Sequence, residues 1–382
     1  VAILGAGAAG LMTAARLNET TDLKVCVIEG NGSAGAKIRI SGGGKCNLTN
    51  TEVSENNYLG SPELVREVLR RFDETALLAW VRERGCEPVL RKGRYWFCPE
   101  SARQLLEIFR RETKRSRFFY RHRIGRVEAE ADGYAVETDR GTFHARRVVV
   151  ATGGASFASV GATDVGLKIA EGFGIETVPF RPALAGLTLQ KEQFWMKELS
   201  GISLPVTILA GGRTLREDLL FAHRGISGPA VLSASLYWEK GTVSVDFLDG
   251  KPVRQLLERG GNRKVSTALP LPKRFVTAFL EQAGVRDAPC RGLRAEERDA
   301  VAALNDYVFA PAGTFGFSKA EVSKGGVACG ELAVPSCESR AYPGLYFVGE
   351  VTDVTGELGG YNFQWAFASA RAAADALAGR CE

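Results

Sequence analysis

The sequence predicts an α/β protein built on a Rossmann-type sheet, and three observations predict it. The chain opens on a short apolar strand, 1–4, that runs directly into Gly5-Ala6-Gly7-Ala8-Ala9-Gly10. A helical pattern follows, with Leu11, Ala14, Ala15 and Leu17 on one face. A second strand, 24–28, then ends on the acid Glu29. Strand, glycine turn, helix and acid in this order form the unit that binds a dinucleotide.

Each element has its physical reason. Gly5 allows the tight turn, Gly7 lets backbone approach a pyrophosphate, and Gly10 lets the helix pack close to the sheet. Ala8 and Ala9, in the same turn, are candidate cofactor-binding residues. The helix N-terminus offers unpaired N–H groups and a favourable dipole to the diphosphate. Glu29 can accept hydrogen bonds from ribose hydroxyls, and its charge disfavours a 2′-phosphate there.

Three later segments point to FAD rather than NAD. Ser41-Gly42-Gly43-Gly44-Lys45-Cys46-Asn47 reads as a glycine cradle with a polar flank. A β-meander at about 118–152, with turns at Asp132-Gly133 and Arg140-Gly141, ends in Val148-Val149-Val150-Ala151-Thr152-Gly153. Strand 344–348 ends in Gly349-Glu350, and Gly359-Gly360-Tyr361-Asn362 opens an Ala-rich helix over 363–379. A helix start aimed at the ring stabilises negative charge on a reduced flavin; the competing reading is that these glycines only make the turn.

Together these segments resemble the FAD-binding fold of glutathione-reductase-like flavoproteins, and more narrowly a bacterial BaiN-like or aminoacetone-oxidase-like family of NAD(P)/FAD-dependent oxidoreductases. The resemblance is also carried by Leu-Leu-Phe-Ala-His-Arg-Gly-Ile-Ser-Gly-Pro (219–229), Ser-Lys-Gly-Gly-Val (323–327), Gly-Leu-Tyr-Phe-Val-Gly-Glu-Val-Thr-Asp (344–353) and Gly-Gly-Tyr-Asn-Phe-Gln-Trp-Ala (359–366). Lys45 stands where Arg is expected and Ala222 where Thr is expected. Lys37, Val127 and Asp353 complete the candidate FAD contacts.

The middle of the chain breaks the doubly wound pattern. Short strands at 202–210, 219–222 and 243–248, a helix from Ser227-Gly228-Pro229 to about 238, and helical segments near 253–259, 272–283 and 294–306 suggest an insertion. The expected organisation is an FAD domain at 1–187 and 331–382, a small β-barrel-like domain at 188–250 and 308–330, and a helical subdomain at 251–307. The family resemblance implies the same, with the insert placed over the flavin ring.

Composition excludes several classes. The formal charge is +5, and no apolar run approaches the ~20 residues needed to span a bilayer. The eight cysteines, at 26, 46, 86, 98, 290, 329, 337 and 381, form no Cys-x-x-Cys pair. No metal site is signalled, and reduced thiols in a cytoplasmic protein are expected. Cys46, beside the cradle, has a packing or cofactor-contact role. The basic stretch 103–126 reads as a solvated helix face leading into a strand, so nucleic acid is disfavoured as a partner. His122 and His144 read as surface residues. His223 is the candidate catalytic acid or hydrogen-bond donor, against an equal reading as a structural residue at a strand-to-helix turn.

The expected function is an FAD-dependent oxidoreductase in which NAD(P)H reduces the flavin and a small organic substrate receives hydride. Two alternatives stand beside it: a flavin oxidase with an amine-type substrate and oxygen as acceptor, and a non-catalytic or RNA-linked flavin-binding protein. No second glycine fingerprint follows Gly10, so a nicotinamide donor would bind without a domain of its own.

Overall fold

The computed structural model describes residues 1–379; Cys381 lies outside the described residues. The chain divides into two compact units, Val1–Arg181 with Val322–Glu382, and Pro182–Glu321.

The first unit is built on a seven-stranded sheet. Its parallel part runs Leu345–Phe347, Val148–Val150, Ala2–Leu4, Cys26–Glu29 and Arg117–Tyr120. Ile3, Leu4, Val27, Ile28 and Val148 to Val150 are fully buried, as expected of strands covered on both faces. Helices Ala8–Thr20 and Tyr361–Gly379 pack against each other in the same core. Because these strands are parallel, the segments that follow them emerge at one edge of the sheet. That is the edge at which α/β proteins bind ligands.

The expected meander splits in two. Ile124–Glu130, Gly133–Thr138 and Gly141–Ala145 form a separate three-stranded antiparallel sheet. Residues 118–120 do not join it: Arg117–Tyr120 pairs in parallel with Cys26–Glu29. The cause is the amphipathic helix Ala102–Glu112, which buries Leu105, Ile108 and Phe109 and serves as the crossover a parallel strand requires.

The second unit holds a seven-stranded sheet whose neighbouring ladders are antiparallel. Ser203–Ala210 and Arg213–Ala222 form its longest hairpin, and the ladder ends on Tyr307–Phe309 at one side and Gly313–Thr314 at the other. Among the described residues no ladder joins those two edges. Phe221, Phe247 and Phe275 meet in the core of this unit, with ring centroids 4.9–6.3 Å apart. Helices Val253–Gly260, Lys273–Gln282 and Ala295–Ala302 occupy the helical stretch. The second unit begins at 182 rather than 188, because Leu187–Thr188 pairs with Gly225–Ser227. The chain re-enters the first unit at 322 rather than 331, because Val322–Val327 pairs with Thr177–Ala183.

Candidate functional site

The glycine turn is fitted for a phosphate. Gly5 has a φ of +103°, and a Cβ there would lie 2.6 Å from the Ala151 carbonyl oxygen. A Cβ on Gly10 would overlap the Gly5 carbonyl, so helix and turn touch backbone to backbone. Gly7 differs: a Cβ there would meet nothing within 4 Å. Gly5 and Gly10 are demanded by the fold, whereas the space at Gly7 is open to a ligand. Helix Ala8–Thr20 has no side-chain cap at its N-terminus, leaving its first N–H groups for an anion.

Glu29 is nearly buried and organises this loop. One carboxylate oxygen accepts from the Ala6 N–H and the other from the Asn31 N–H, both at 2.7 Å. Each oxygen can accept a second hydrogen bond, as a ribose hydroxyl would require.

The segments after the next strands are stitched together. Lys37 Nζ lies 2.8 Å from Glu350 Oε2, and the Ser323 N–H donates to Glu350 Oε1 at 2.9 Å. Ser323 Oγ accepts from the N–H groups of Ala155 and Ser156 at 2.9 and 3.0 Å. Thr152 Oγ1 is buried without a hydrogen-bond partner, an orphaned polar atom beside Gly153. A Cβ on Gly153 would meet nothing within 4 Å. Gly349 packs against Ala9, which ties the Gly-Glu segment to the first helix. Open glycines, an uncapped helix start, a buried acid and an orphaned hydroxyl suit a dinucleotide with a polar linker.

Within the cradle 41–47, three successive glycines form a left-handed run of backbone. Gly42, Gly43 and Gly44 have φ of +55°, +64° and +83°. Ser41 Oγ donates to the Ile38 carbonyl at 2.7 Å, and the Lys45 carbonyl accepts from the Cys98 N–H. Cys46 is fully buried. Its thiol is hydrogen-bonded to Cys98, which is also bonded to Cys86. The hydrogen bond to Cys46 and burial push the Cys98 thiol up to about 12, against the opposing effect of Cys86, so it is protonated at neutral pH.

The start of the last helix is more occupied than the sequence suggests. With its amide oriented to satisfy its neighbours, Asn47 accepts from the Gly360 N–H at 3.3 Å. A Cβ on Gly360 would lie 2.7 Å from the Thr49 backbone, so this glycine serves close packing on strand Asn47–Asn50. Asn362 clamps its own loop, donating to the Gly356 carbonyl at 2.8 Å and accepting from its N–H at 2.9 Å. Tyr361 is buried edge-on against Tyr58. Val127 is buried in the three-stranded sheet. Asp353 is half-buried, and burial raises its pKa.

Sequence reading missed Ser323, whose Ser-Lys-Gly-Gly-Val segment it assigned to the insert. It also missed Tyr95 and Phe97, which pack on the glycines: a Cβ on Gly359 would lie 2.8 Å from the Tyr95 ring, and one on Gly42 3.0 Å from the Phe97 ring. No local motif marks these two; only the strand pairing of 95–97 with 47–50 brings them there.

In the second unit, His223 and Arg224 form the two-residue turn of a hairpin closed by the Ala222–Gly225 pair. His223 is exposed at its tip, so the strand-to-helix turn expected for it lies farther on, at Gly228. His144 is an exposed partner of Glu130, and the half-buried His122 meets the Tyr120 carbonyl. The basic stretch has structural partners: Arg115 bonds the Asn18 carbonyl and Asp22, and Arg126 bonds Glu137 through two nitrogens.

Fold and site define a Rossmann-type flavoprotein: the cofactor is FAD and the protein is an FAD-dependent oxidoreductase. The family model described as HI0933-like protein Rossmann domain matches residues 1–376, and the chain belongs to that family. It is 38% identical to the ribosomal RNA dihydrouridine synthase of Haemophilus influenzae, over 97% of this chain and 96% of that protein. It is 30% identical to the 3-dehydro-bile acid delta(4,6)-reductase of Clostridium scindens, over 100% of this chain and 99% of that protein. The structure of 3-ketosteroid-delta4-(5alpha)-dehydrogenase from Rhodococcus jostii RHA1 shares the fold, with a TM-score of 0.50, 14% identity and coverage of 98% of this chain and 96% of that one. No described helix is long and apolar enough to cross a membrane.

Proposed function

We propose that this protein is a reductase that takes hydride from NAD(P)H and delivers it to a carbon–carbon double bond conjugated to a carbonyl. The observation that carries this reading is the shared chemistry of two relatives that the chain matches end to end. Dihydrouridine is uridine with its C5–C6 bond saturated, and that bond is conjugated to the C4 carbonyl. A bile acid delta(4,6)-reductase is named for a conjugated system of the same kind.

When bound, FAD supplies the two-electron hydride carrier. The rest falls to residues of this chain. The open backbone at Gly7 and the uncapped helix start hold the diphosphate. Glu29 orients the adenosine ribose. Lys37, fixed by Glu350, places a cation beside the polar linker. His223, exposed and without a hydrogen-bond partner among the described residues, is the proposed proton donor to the carbon next to the carbonyl, while the other carbon of the double bond receives the hydride. The protein is proposed to work in the cytoplasm, where its thiols stay reduced.

A uracil in RNA is the favoured substrate, because the relative named for it is the more similar of the two, 38% against 30% identical. A free small molecule, as the sequence suggests, is the competing substrate.

The test is anaerobic mixing of the purified holoprotein with NADH or NADPH, followed by addition of ribosomal RNA or of a conjugated enone. Bleaching of the flavin band by the nucleotide, then its return with two hydrogens gained by the acceptor, is the expected result. Reduction of neither acceptor, or flavin that bleaches only with an amine substrate, would overturn the reading.

A further inference from the structure

The sheet beside the glycine cradle carries an edge hairpin that lies outside the candidate cofactor residues. Strand Asn47–Asn50 pairs with Tyr95–Phe97, which pairs with the edge strand Val89–Arg91. Direct partners in an antiparallel ladder lie on one face. Val89, Arg91, Tyr95 and Phe97 therefore share a face. It is the face on which Tyr95 meets Gly359 and Phe97 meets Gly42, so it borders both glycine segments of the candidate flavin site.

Cations cover the same aromatics. The Arg91 guanidinium lies 5.1 Å from the Phe97 ring centre, and that of Arg94 lies 4.9 Å from Tyr95. On the opposite face Arg82 lies 5.5 Å from Trp96. The hairpin tip is Lys92-Gly93, with Lys92 exposed, and the run 90–97 contains three cations and no acid. Val89 and Leu90 are 41% and 42% exposed. Half-exposed aromatic rings interleaved with Arg and Lys form the combination that binds single-stranded nucleic acid: bases stack on rings while cations meet phosphates. A solvated hairpin would need the charge but not the aromatic face turned toward the site.

We propose that the hairpin 89–97 is the surface that receives the single-stranded RNA segment carrying the target uracil. This deepens the RNA reading given above and rests on it. Tyr95 and Phe97 offer stacking surfaces at the border of the flavin site, and Arg91, Lys92 and Arg94 meet the flanking phosphates. A duplex would present its bases already stacked and paired, so a loop or unpaired strand is the form that fits.

The test is fluorescence anisotropy of a labelled oligouridine with the FAD-loaded protein, comparing wild type with Arg91→Glu/Lys92→Glu. The expected result is binding by wild type that weakens more than about tenfold in the variant, with a salt dependence flatter by about 0.7 for each phosphate that the variant no longer neutralises. Bound FAD, read from its absorbance, stays unchanged, and Arg91→Lys/Lys92→Arg keeps wild-type affinity. Equal affinity of wild type and charge-reversed protein would overturn the proposal, as would a wild type that binds no oligouridine. A wild type that self-associates through this edge strand and binds no RNA would assign the surface to a second copy instead. The two readings fail separately. Holoprotein that reduces an enone with NADPH but ignores oligouridine removes this surface and leaves the reductase standing. Holoprotein that binds RNA through the hairpin but reduces no conjugated bond does the reverse.

Discussion

A few glycines of the two units make an instructive contrast. In the first, Gly7, Gly43 and Gly153 face space that no protein atom within 4 Å would contest. In the second, a Cβ on Gly225 would lie 2.1 Å from the Leu187 carbonyl oxygen, and one on Gly228 2.7 Å from that of Asp218. These glycines let strands and a helix approach one another. At Gly7 and Gly153, just past parallel strands, the missing side chain leaves open space, whereas at Gly225 and Gly228 it lets backbone meet backbone.

That contrast can be broken most sharply at Gly7. Gly7→Glu places a charged side chain in open space at a backbone conformation that any residue can adopt, with φ −82°. FAD affinity should fall at least about 1000-fold, roughly 4 kcal/mol, while the apoprotein keeps its circular dichroism and melting curve. A fully loaded yellow variant would mean that the open space is not where the diphosphate sits.

Gly225→Ala should do the opposite. Its φ of +152° and the Leu187 carbonyl leave no room for a methyl group, so stability should fall by about 3 kcal/mol. Protein that stays folded should still hold FAD at near wild-type affinity. Urea unfolding with flavin fluorescence as a second probe separates the two outcomes.

Glu29→Ala lies between these. It removes the acceptor of two backbone N–H groups, one of them in the phosphate turn. Unsatisfied N–H groups cost about 1–3 kcal/mol each when water cannot reach them. FAD affinity should fall about 10- to 100-fold, with a smaller loss of apoprotein stability, read by titration of the apoprotein with FAD.

A weaker effect should come from the thiol chain. The Cys98 thiol is raised from 9.0 to about 12 in the folded protein. The unfolded chain then loses its proton first as the pH rises. Stability from this site is therefore complete below pH 9 and is lost as pH rises toward about 12. Urea midpoints measured across that range should drop more steeply in wild type than in Cys98→Ala.

Much of the fold was legible because local signals agreed with the tertiary structure. The glycine turn keeps its spacing, and the apolar strands and amphipathic helices keep their periods. Strand 117–120 was misplaced because Phe118-Phe119-Tyr120 carries no mark of parallel or antiparallel pairing; the preceding helix decides it. Residues 322–327 were assigned to the insert because a run of Val, Ser and Gly reads alike in either sheet. The candidate cofactor residues near Gly7 were legible as a motif with fixed spacing. Ser323, Tyr95 and Phe97 were not, since they reach the site from distant stretches through strand pairing and carry no local signature.

The least perturbing test concerns His223. Its side chain sits exposed at the tip of a two-residue hairpin turn, so truncation removes little packing. Stability of His223→Ala should stay within about 0.5 kcal/mol of wild type, as for most exposed positions, and FAD binding should not change. A residue that only occupies a turn would move nothing else. A proton donor would move the second half-reaction alone: flavin reduction by NADPH keeps its rate, while reoxidation by the conjugated acceptor slows. His223→Gln, which keeps a hydrogen-bond donor but cannot deliver a proton, divides the remaining possibilities. If it restores the acceptor KM but not the rate, His223 both orients and protonates. If it restores both, hydrogen bonding suffices. Unchanged reoxidation kinetics in both variants would remove His223 from the chemistry and leave it as a turn residue in a hairpin whose fit is set by Gly225.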